Sequence, residues 1–497
     1  MVCKRLHQRS GDLTADAEGR TAQGCRGELR GRRYVTSQFA GGAEPVRNSA
    51  DATGVAGGAE DDRSALSENA GWGERIFRLR SRGSTGWREF TAGISMFLAS
   101  AYSAVVIPGM LADAGLPRGA ATTAVLIVVV LATALMGLYA NMPFVLAPGL
   151  GGVALVAYTL VLGEGVPYPV AMGMVFWSGV AFLLLTLFGI RGLITQMIPT
   201  NIRLAIGSGI GLFIAFIGFR SAGLVVAGED SLELGDLGGA SAVVALVGLV
   251  ALVGMQSRKV PGSFVIVIVG LTLVGIPLGL TEITGDLLQP PEGVGPLILD
   301  IDVMGALAPH YLPYLFAFFA AEFFSATGIV MAVSEKVGLP DSQMRKPFIV
   351  DSTAIIAGSL LAAPSVTTYA ESTAGSESGG RTGLTSLWTA ACFALLLVFA
   401  PFAAAIPAAA TAPVLMFVGL KMLTGFVRVD VSDLTEAVPA TLVVVCTLLW
   451  GNFGTGIAAG LLSYVLVKIF AWRLREVSVG MWIMAPFLVY FFVTSVH

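Results

Sequence analysis

From Trp87 onward, the chain consists of apolar segments that follow one another with short connections. Judged by the roughly 20 residues that a helix needs to cross a bilayer, we count about fourteen such segments. Apolar residues make up 55% of the chain and charged residues 13%, and the mean hydropathy is +0.79. This composition is typical of a polytopic membrane protein. The predicted fold class is therefore an all-α membrane protein with about 14 transmembrane segments.

Residues 1–86 have a different composition, rich in Gly, Ala, Ser, Arg, Asp and Glu and without a sustained apolar run. This pattern predicts a disordered tail. The basic cluster just before the first span is typical of a cytoplasmic signal for membrane topology, and it comprises Arg75, Arg78, Arg80 and Arg82. The net charge of −3 gives no reason to expect a nucleic-acid partner. The four cysteines lack metal-ligand spacing, so we expect no metal or other cofactor.

The loop charges predict the orientation of the chain in the cell membrane. The predicted turns that contain Arg191, Arg258, Lys346 and Arg381 are basic, whereas the predicted outer loops 225–239 and 281–310 are acidic. Because cytoplasmic loops collect Lys and Arg, we expect the N- and C-termini to be cytoplasmic. A final apolar stretch, 481–496, is either an interfacial helix or a further crossing.

Two segments are too short or too broken to be ordinary spans, and each is the third in a set of seven. They are Asn141–Gly152 and Pro364–Gly375. Because seven is odd, two such halves in tandem have opposite orientations, which is the inverted-repeat plan of many secondary transporters. A second pair of features agrees with this plan: Pro199 precedes Gly211, and Pro407 precedes Gly419, at the same spacing.

The two broken segments are predicted to contain short extended strands that lead into half-helices 3 and 10. Pro148 suits the first turn of one half-helix. Thr368 and Glu371 fit the capping box of the other half-helix. Two half-helix N-termini at membrane depth would offer N–H donors and positive dipole ends to a polar or anionic solute. Backbone groups could then bind a small planar molecule.

Three acidic residues fall within the predicted spans. Glu371 is a candidate for ligand binding or proton transfer, because a carboxylate in hydrocarbon is costly; the alternative is a capping role. Glu322 and Ser325 share a helix face, and their alternatives are a buried hydrogen bond between helices and helix packing. Asp351 lies close to the start of its span, where we expect water to reach it.

Several motifs resemble the nucleobase:cation symporter-2 family, specifically its azaguanine-type permeases for hypoxanthine, adenine and guanine. The resemblance covers nearly everything after Trp87. It rests on Arg88-Glu89 with Ala92-Gly93, Leu146–Gly149, Ile198-Pro199 with Leu204–Gly218, Thr367–Ser372, Gly379–Leu384 and Ile406–Pro413. The resemblance implies proton-coupled nucleobase uptake by a homodimer in the lipid bilayer, with Glu371 bonding the ring.

The resemblance also implies a division into domains. After the cytoplasmic tail 1–86, the core domain comprises 87–188 and 311–404, and the gate domain comprises 189–280 and 405–471. Residues 281–310 form an outer loop, and 472–497 form a C-terminal amphipathic or extra helix. The coupling candidates are Glu322 and Glu371, with sodium as the alternative to the proton. The candidate substrate-binding residues are Glu371, Ser325, Ala147, Gly149, Tyr369, Ala370 and Thr368.

Four positions depart from the family's pattern. The eighth helix usually reads Asp-Leu-Phe-Asp-Thr-Ala-Gly, and here Glu322 and Ser325 replace its two acids. Val153 stands where the purine permeases commonly carry Asn, and Ile107 precedes Pro108 where they often have Asn. A site built to hydrogen-bond a ring loses affinity when its partners change. The identity of the solute is therefore left open.

Three functions are compatible with these residues. The first is a proton-coupled permease for a purine or related nucleobase, acting by elevator-like alternating access. The second is a carrier of the same fold for another small heterocycle or anion. The third is a transport-inactive membrane sensor. An enzyme is not expected, because the three His at 7, 310 and 497 do not combine with Ser or Cys at membrane depth.

Overall fold

The computed structural model describes residues 72–189, 199–228, 232–280, 292–337, 344–450 and 453–478, with 480–482, 485–486 and 488–489. Structural statements below concern these residues. The predicted disordered tail lies outside them up to residue 71. Within its predicted range, however, Trp72–Phe77 forms a helix. Both predictions for 481–496 stay predictions, because that stretch is described only at scattered positions.

The described residues are mostly helical. The helices are α1 (Trp72–Phe77), α2 (Gly86–Ser100), α3 (Ser103–Asp113), α4 (Arg118–Leu135), α5 (Leu150–Ala154), α6 (Tyr168–Leu187), α7 (Thr200–Ser221), α8 (Ala240–Ser257), α9 (Ser263–Gly275), α10 (Leu312–Val337), α11 (Arg345–Leu360), α12 (Ser372–Glu377), α13 (Gly383–Leu397), α14 (Ala400–Ala405), α15 (Ala408–Leu423), α16 (Leu434–Leu449) and α17 (Phe453–Phe470). Wider π-type turns extend α4 through Met136–Ala140 and α5 through Leu155–Gly163.

The helices are long and apolar enough to make the chain a multi-pass membrane protein. Six described helical stretches satisfy the length and hydropathy that a crossing needs. They are Gly86–Asp113, Arg118–Ala140, Tyr168–Leu187, Thr200–Ser221, Ala240–Ser257 and Ala408–Arg428. Shorter apolar helices, including Ser263–Gly275 and Gly383–Leu397, accompany them. The predicted class of membrane protein is thus confirmed.

Four short strands interrupt the helices and form two antiparallel pairs. β1 (Leu146–Pro148) pairs with β4 (Val366–Thr368), and these are the two strands that the broken segments predict. The second pair joins β2 (Val225–Ala227) to β3 (Leu232–Leu234) and was not predicted. It lies largely exposed in the predicted outer loop 225–239. The all-α prediction therefore needs this hairpin added.

Helices α7 and α15 touch through their backbones. A Cβ placed on Gly211 would lie 2.7 Å from the carbonyl oxygen of Gly419, and a Cβ on Gly419 would meet Gly211 in return. Small residues allow this close approach, which gives membrane helices their packing contacts. Pro199 and Pro407 are the N-cap residues of the two helices. The paired positions of the sequence are therefore equivalent in the structure: the two prolines begin their helices, and the two glycines are in contact.

A buried carboxylate joins α2 to the start of α13. Glu89 is fully buried, and its oxygens accept hydrogen bonds from the amides of Arg381 (3.0 Å), Thr382 and Thr385 (both 3.2 Å). The hydroxyl of Thr385 donates to the same carboxylate. Buried polar groups are stable only with such partners. Glu89 therefore has a structural role in holding the turn between α12 and α13.

Candidate functional site

The two broken segments meet in the interior as a two-stranded ribbon. Ala147 lies opposite Thr367, and all residues of both strands are buried. One further backbone hydrogen bond extends the ribbon at each end. The amide of Gly149 donates to the carbonyl of Ser365 (2.8 Å), and the amide of Tyr369 donates to the carbonyl of Val145 (2.9 Å). Because the strands are antiparallel, α5 and α12 begin at opposite ends of the ribbon.

Hydroxyl side chains complete the hydrogen bonding of this irregular backbone. Thr133 on α4 bonds both the amide and the carbonyl of Leu146, each at 3.1 Å. Ser372 accepts from the amide of Val145 at 3.0 Å, and Ser386 donates to the carbonyl of Phe144 at 2.8 Å. Non-helical backbone persists at membrane depth only where protein groups satisfy it in this way.

Glu371 lies at the start of α12 and is only half-buried, beside the exposed Ala370. Its Oε1 accepts a hydrogen bond from the phenol of Tyr102 at 2.9 Å. Tyr102 lies at the break between α2 and α3. Glu371 is the N-cap residue of α12, but its side chain accepts no capping hydrogen bond from the described amides of that helix. Glu371 is therefore a partly exposed residue at the start of a half-helix.

The predicted capping box at Thr368 and Glu371 is wrong. Thr368 belongs to β4, and its amide (2.8 Å) and hydroxyl (3.2 Å) donate to Asp351 rather than to the start of α12. The prediction for Pro148 is also wrong, because this residue ends β1 and Gly149 is the N-cap of α5. In both places the strands run further toward the half-helices than the local sequence indicates.

Asp351 is fully buried, contrary to the expectation that water reaches it. Besides Thr368, its Oδ1 accepts from the hydroxyl of Thr367 at 3.2 Å. Asp351 lies on α11 and thereby fixes β4 against that helix. Sequence position near a helix start did not reveal this burial, because β4 covers the residue from elsewhere in the chain.

Glu322 contacts both broken segments. It is 6% exposed, and its Oε2 accepts a hydrogen bond from Ser365, the residue before β4. On the other side, a Cβ on Gly152 of α5 would overlap both Glu322 and Ser365. Ser365 has φ +60, in the left-handed region, which a non-glycine residue adopts only when its surroundings enforce it. The Glu322 carboxylate is thus closely surrounded.

The remaining candidates differ in what they can offer a ligand. Ala147 and Thr368 are fully buried in the ribbon, and Tyr369 is 5% exposed with its hydroxyl bonded to the carbonyl of Pro148. Gly149 is half-buried, but its amide is used by Ser365. The side chain of Ser325 lies outside the described residues. The structure therefore brings Ala147, Gly149, Thr368, Tyr369, Ala370 and Glu371 together around the ribbon, with Glu322 behind it.

Aromatic rings extend from the ribbon toward α9 and α15. Tyr102 stacks near Tyr369 with ring centroids 6.3 Å apart, and it contacts Phe264 of α9 at 4.9 Å. Phe264 in turn contacts Phe417 of α15 at 5.9 Å. Lys421, also on α15, attracts the Glu371 carboxylate electrostatically. Tyr102, Tyr369 and Phe264 are nearly fully buried, so these rings link the ribbon to α9 and α15 by packing.

Sequence reasoning did not nominate Tyr102, Ser365 or Gly152 as site residues. Tyr102 is a polar aromatic residue within a predicted span, and Ser365 and Gly152 are small residues within the broken segments. These residue types could have pointed to the site, but they are not specific, because membrane helices contain many small and aromatic residues. Only the tertiary contacts single these three out.

Three carboxylates elsewhere converge enough to bind a metal ion. They belong to Asp433, Glu436 and Glu476. The fully buried Lys468 already lies among them, with its Nζ 2.6 Å from Glu476 and 3.6 Å from Glu436. Hydrogen bonds from Lys468 and Arg473 lower the pKa of Glu476. This cluster is therefore an ion-pair network that joins α16 to α17.

A bundle of apolar helices with two broken segments that meet inside it is typical of membrane transporters. Comparison with known proteins gives the class of a permease. The sequence profile of the Permease family (Xan_ur_permease) matches residues 88–463. The chain belongs to this permease family, and the resemblance found in its motifs is confirmed.

Two relatives illustrate the similarity. The chain is 35% identical to the adenine permease AdeP of Escherichia coli (strain K12), over 82% of this chain and 92% of the relative. It is also 35% identical to the guanine/hypoxanthine permease GhxP of Escherichia coli O157:H7, over 84% of this chain and 95% of the relative. Both relatives are thus matched along almost their full length.

A solved structure supports the fold. The transmembrane domain of the cyanobacterial bicarbonate transporter BicA matches with a TM-score of 0.53 at 17% identity, covering 74% of this chain and 96% of that domain. At this identity the likeness concerns the fold alone.

Proposed function

We propose that this protein carries a purine or related nucleobase across the membrane. The observation that carries the proposal is the half-buried Glu371 carboxylate at the start of α12, next to exposed Ala370 and bonded to Tyr102. A carboxylate accepts hydrogen bonds from ring N–H groups. The neighbouring rings of Tyr102 and Phe264 suit a flat heterocycle. The names of AdeP and GhxP support the same class of solute.

Ala147, Gly149, Thr368, Tyr369 and Ala370 belong to this proposal as the backbone frame of the site. Most of them are buried, so they act by fixing the shape of the ribbon next to the solute. Ser325 is retained as a proposed contact from its place on α10, the helix that also carries Glu322.

Coupling to protons is the second part of the proposal. Glu322 is buried and contacts both broken segments through Ser365 and Gly152. Because a carboxylate is much less costly in an apolar interior when it is neutral, protonation of Glu322 would ease movement of the loaded site through the membrane. Sodium remains the alternative coupling ion.

This part predicts that Glu322→Gln abolishes solute accumulation against a gradient. The amide keeps the shape of the side chain but cannot exchange a proton. Proteoliposomes with an internal pH dye should show solute-driven acidification for the unchanged protein and none for the variant. Unchanged accumulation by the variant would assign Glu322 a structural role, and accumulation that requires external sodium would replace the proton.

An elevator-like movement of a core domain against a gate domain is the third part. Its support lies in the helix contacts, the most extensive of which join α2 and α4 to α13, α6 to α11, α7 to α15 and α16, and α16 to α17. Each of these pairs falls within the predicted core (87–188 and 311–404) or the predicted gate (189–280 and 405–471). The Gly211–Gly419 contact and the β1–β4 pair support two inverted repeats of about seven spans each.

Orientation and assembly complete the proposal. Arg78, Arg82, Arg345, Lys346 and Asn141 lie around one cavity at one end of the bundle, which supports cytoplasmic termini in a cell membrane. We also propose a homodimer, because the family resemblance implies one. Multi-angle light scattering of the detergent-solubilised protein would measure its mass and so test the dimer.

Competition uptake tests the function as a whole. The chain is produced in a host that lacks its own nucleobase uptake, and a labelled purine is competed with purines, pyrimidines and small anions. We expect purines to compete best. Competition by a small anion alone would favour a carrier of another solute, and a lack of uptake by properly inserted protein would favour a sensor.

A further inference from the structure

A cavity of about 440 Å³ opens at one end of the bundle, beside Asn141 and Met142, the residues that lead toward β1. Four basic side chains line it: Arg78, Arg82, Arg345 and Lys346. They come from distant parts of the chain, two from the turn after α1 and two from the first residues of α11. The apolar part of the lining includes Leu138 and Tyr139, in the last turn of α4, together with Ile76, Ala140 and Met142.

The cavity lies at the boundary of the bilayer. The stretch Arg118–Ala140 is long and apolar enough to cross the membrane, and the cavity is built around its last residues. A phospholipid places its phosphate at this level and its acyl chains alongside the span. The position alone therefore brings the basic side chains within reach of lipid headgroups.

Three of the four basic groups of the cavity have no acidic partner among the described residues, and the fourth, Arg82, is attracted by the buried Glu89. Arg78, Arg345 and Lys346 are exposed, and the described residues give none of them a carboxylate partner. Arg82 is held in place by hydrogen bonds to the carbonyls of Asn141 (2.7 Å) and Arg381 (3.1 Å). Burial, followed by repulsion from Arg78, lowers the pKa of Arg82. An anion in the cavity would relieve this repulsion.

The apolar part of the cavity continues onto the outer surface of the bundle. Leu138 is 56% exposed, Tyr139 46% and Leu135 42%. The ammonium of Lys346 lies 5.6 Å from the centre of the Tyr139 ring. Exposed apolar side chains next to unpaired cations match the two parts of a phospholipid, whereas a soluble phosphate would use the cations alone.

A topology signal is the simpler explanation of these basic residues, since Lys and Arg collect on the cytoplasmic side. That explanation requires only that the charges lie on one side of the membrane. It does not require residues from separate segments to surround one cavity with an apolar flank. Arg80 shows the difference, because it is equally basic and exposed but does not line the cavity.

We propose that this cavity binds the phosphate headgroup of an anionic phospholipid, with Arg78, Arg82, Arg345 and Lys346 around the phosphate and an acyl chain along Leu138 and Leu135. Guanidinium groups bind phosphate oxygens in a bidentate manner. Basic pockets between helices at this level are suited to such headgroups. None of the residues that line the cavity is among the candidate substrate-binding residues.

Native mass spectrometry of the full chain in detergent tests the site. The protein is titrated with phosphatidylglycerol and with phosphatidylcholine of the same acyl chains. We expect phosphatidylglycerol to bind more tightly, and Arg345→Gln with Lys346→Gln to weaken its binding roughly fivefold for each charge removed. The matched control is Arg258→Gln with Lys259→Gln, which removes the same charge from the exposed turn after α8, and it should bind as the unchanged protein does.

Three results would overturn the proposal. They are equal affinity for the two lipids, equal loss in the control variant, and displacement of phosphatidylglycerol by glycerol 3-phosphate at a similar concentration. The last result would show that the acyl chain adds nothing and that the site serves a soluble phosphate. If the double variant fails to fold, Arg78→Gln provides the same comparison against Arg80→Gln, a neighbouring basic residue outside the cavity.

Discussion

The two broken segments contribute equal strands to one ribbon but very different chemistry. The first segment supplies Leu146, Ala147 and Pro148 followed by glycines, so its contribution is shape. The second supplies the hydroxyls of Ser365 and Thr368, the phenol of Tyr369 and the carboxylate of Glu371. In the proposed function, one segment sets the space in which a solute fits, and the other sets what it bonds.

The polar side chains of the second segment bond to several different elements. Ser365 donates to Glu322 on α10, Thr368 to Asp351 on α11, and Glu371 accepts from Tyr102 before α3. The backbone hydrogen bonds of the first segment are instead completed by hydroxyl groups, those of Thr133 and of residues in or near the second segment. Changes to the second segment should thus alter transport, whereas changes to the first should alter packing.

The largest effect is expected for Glu371→Gln. The amide fills the same volume but lacks the charge that bonds the solute, so we expect uptake to fall by about a hundredfold or more, as when a hydrogen-bonding site loses its partner. Uptake of labelled purine by cells with equal amounts of inserted protein measures this.

Glu377→Gln is the matched control, because it makes the same change at the exposed end of the same half-helix. It should transport normally. Full activity of Glu371→Gln would remove the second segment from the substrate site.

Gly152→Ala tests the first segment. The added methyl group would meet Glu322 and Ser365, and overpacking of this kind costs about 1–3 kcal/mol. We expect a lower melting temperature of the purified protein together with reduced uptake.

Gly207→Ala is the control, since the structure leaves open space at that position. If Gly152→Ala keeps its thermal stability but loses uptake, the contrast between the two segments is contradicted. The first segment would then affect transport by a route other than packing.

Ser365→Ala removes the hydroxyl that donates to Glu322. Leaving a buried acceptor without its donor costs about 1–2 kcal/mol, so we expect a moderate loss of accumulation with a shifted pH profile. Ser359→Ala removes a similarly buried hydroxyl that bonds only a helix carbonyl. An identical pH profile for the Ser365 variant and the unchanged protein would separate Ser365 from coupling.

Tyr102→Phe is expected to have the smallest effect. It removes one hydrogen bond to Glu371 and keeps the ring, so KM should rise about two- to tenfold, as for a bond of about 0.5–1.5 kcal/mol. Tyr158→Phe removes an equivalent phenol–carboxylate bond, to Asp113 at 2.6 Å, away from the ribbon, and KM should stay unchanged there. A loss in Tyr102→Phe as large as that of Glu371→Gln would make Tyr102 a direct ligand contact.

The sequence predicted those features that depend on neighbouring residues. β-Branched and aromatic residues within 142–147 and 365–369 predicted extended strands, and the apolar lengths predicted a multi-pass bundle. The Pro and Gly spacing around Gly211 and Gly419 pointed to related helices.

Features that depend on distant contacts were not predicted. Thr368 caps no helix because Asp351 competes for it, and Tyr102 reaches Glu371 from 269 residues away. A local pattern such as a capping box describes one conformation that Thr368 can adopt, at the start of a helix. In the folded protein, burial of the β1–β4 ribbon favours the strand conformation instead.

The ribbon also sets a constraint during synthesis. Pro148 and Tyr369, bonded to each other in the finished ribbon, are 221 residues apart. At about 5–20 residues per second, the ribosome reaches the second strand about ten to forty seconds after the first. Throughout that interval the first strand has no β4 to pair with, so its backbone must stay hydrated or be held by other proteins. Nascent chains that end before residue 366 therefore carry an unpaired strand edge, the segment most prone to mispairing while the protein is made.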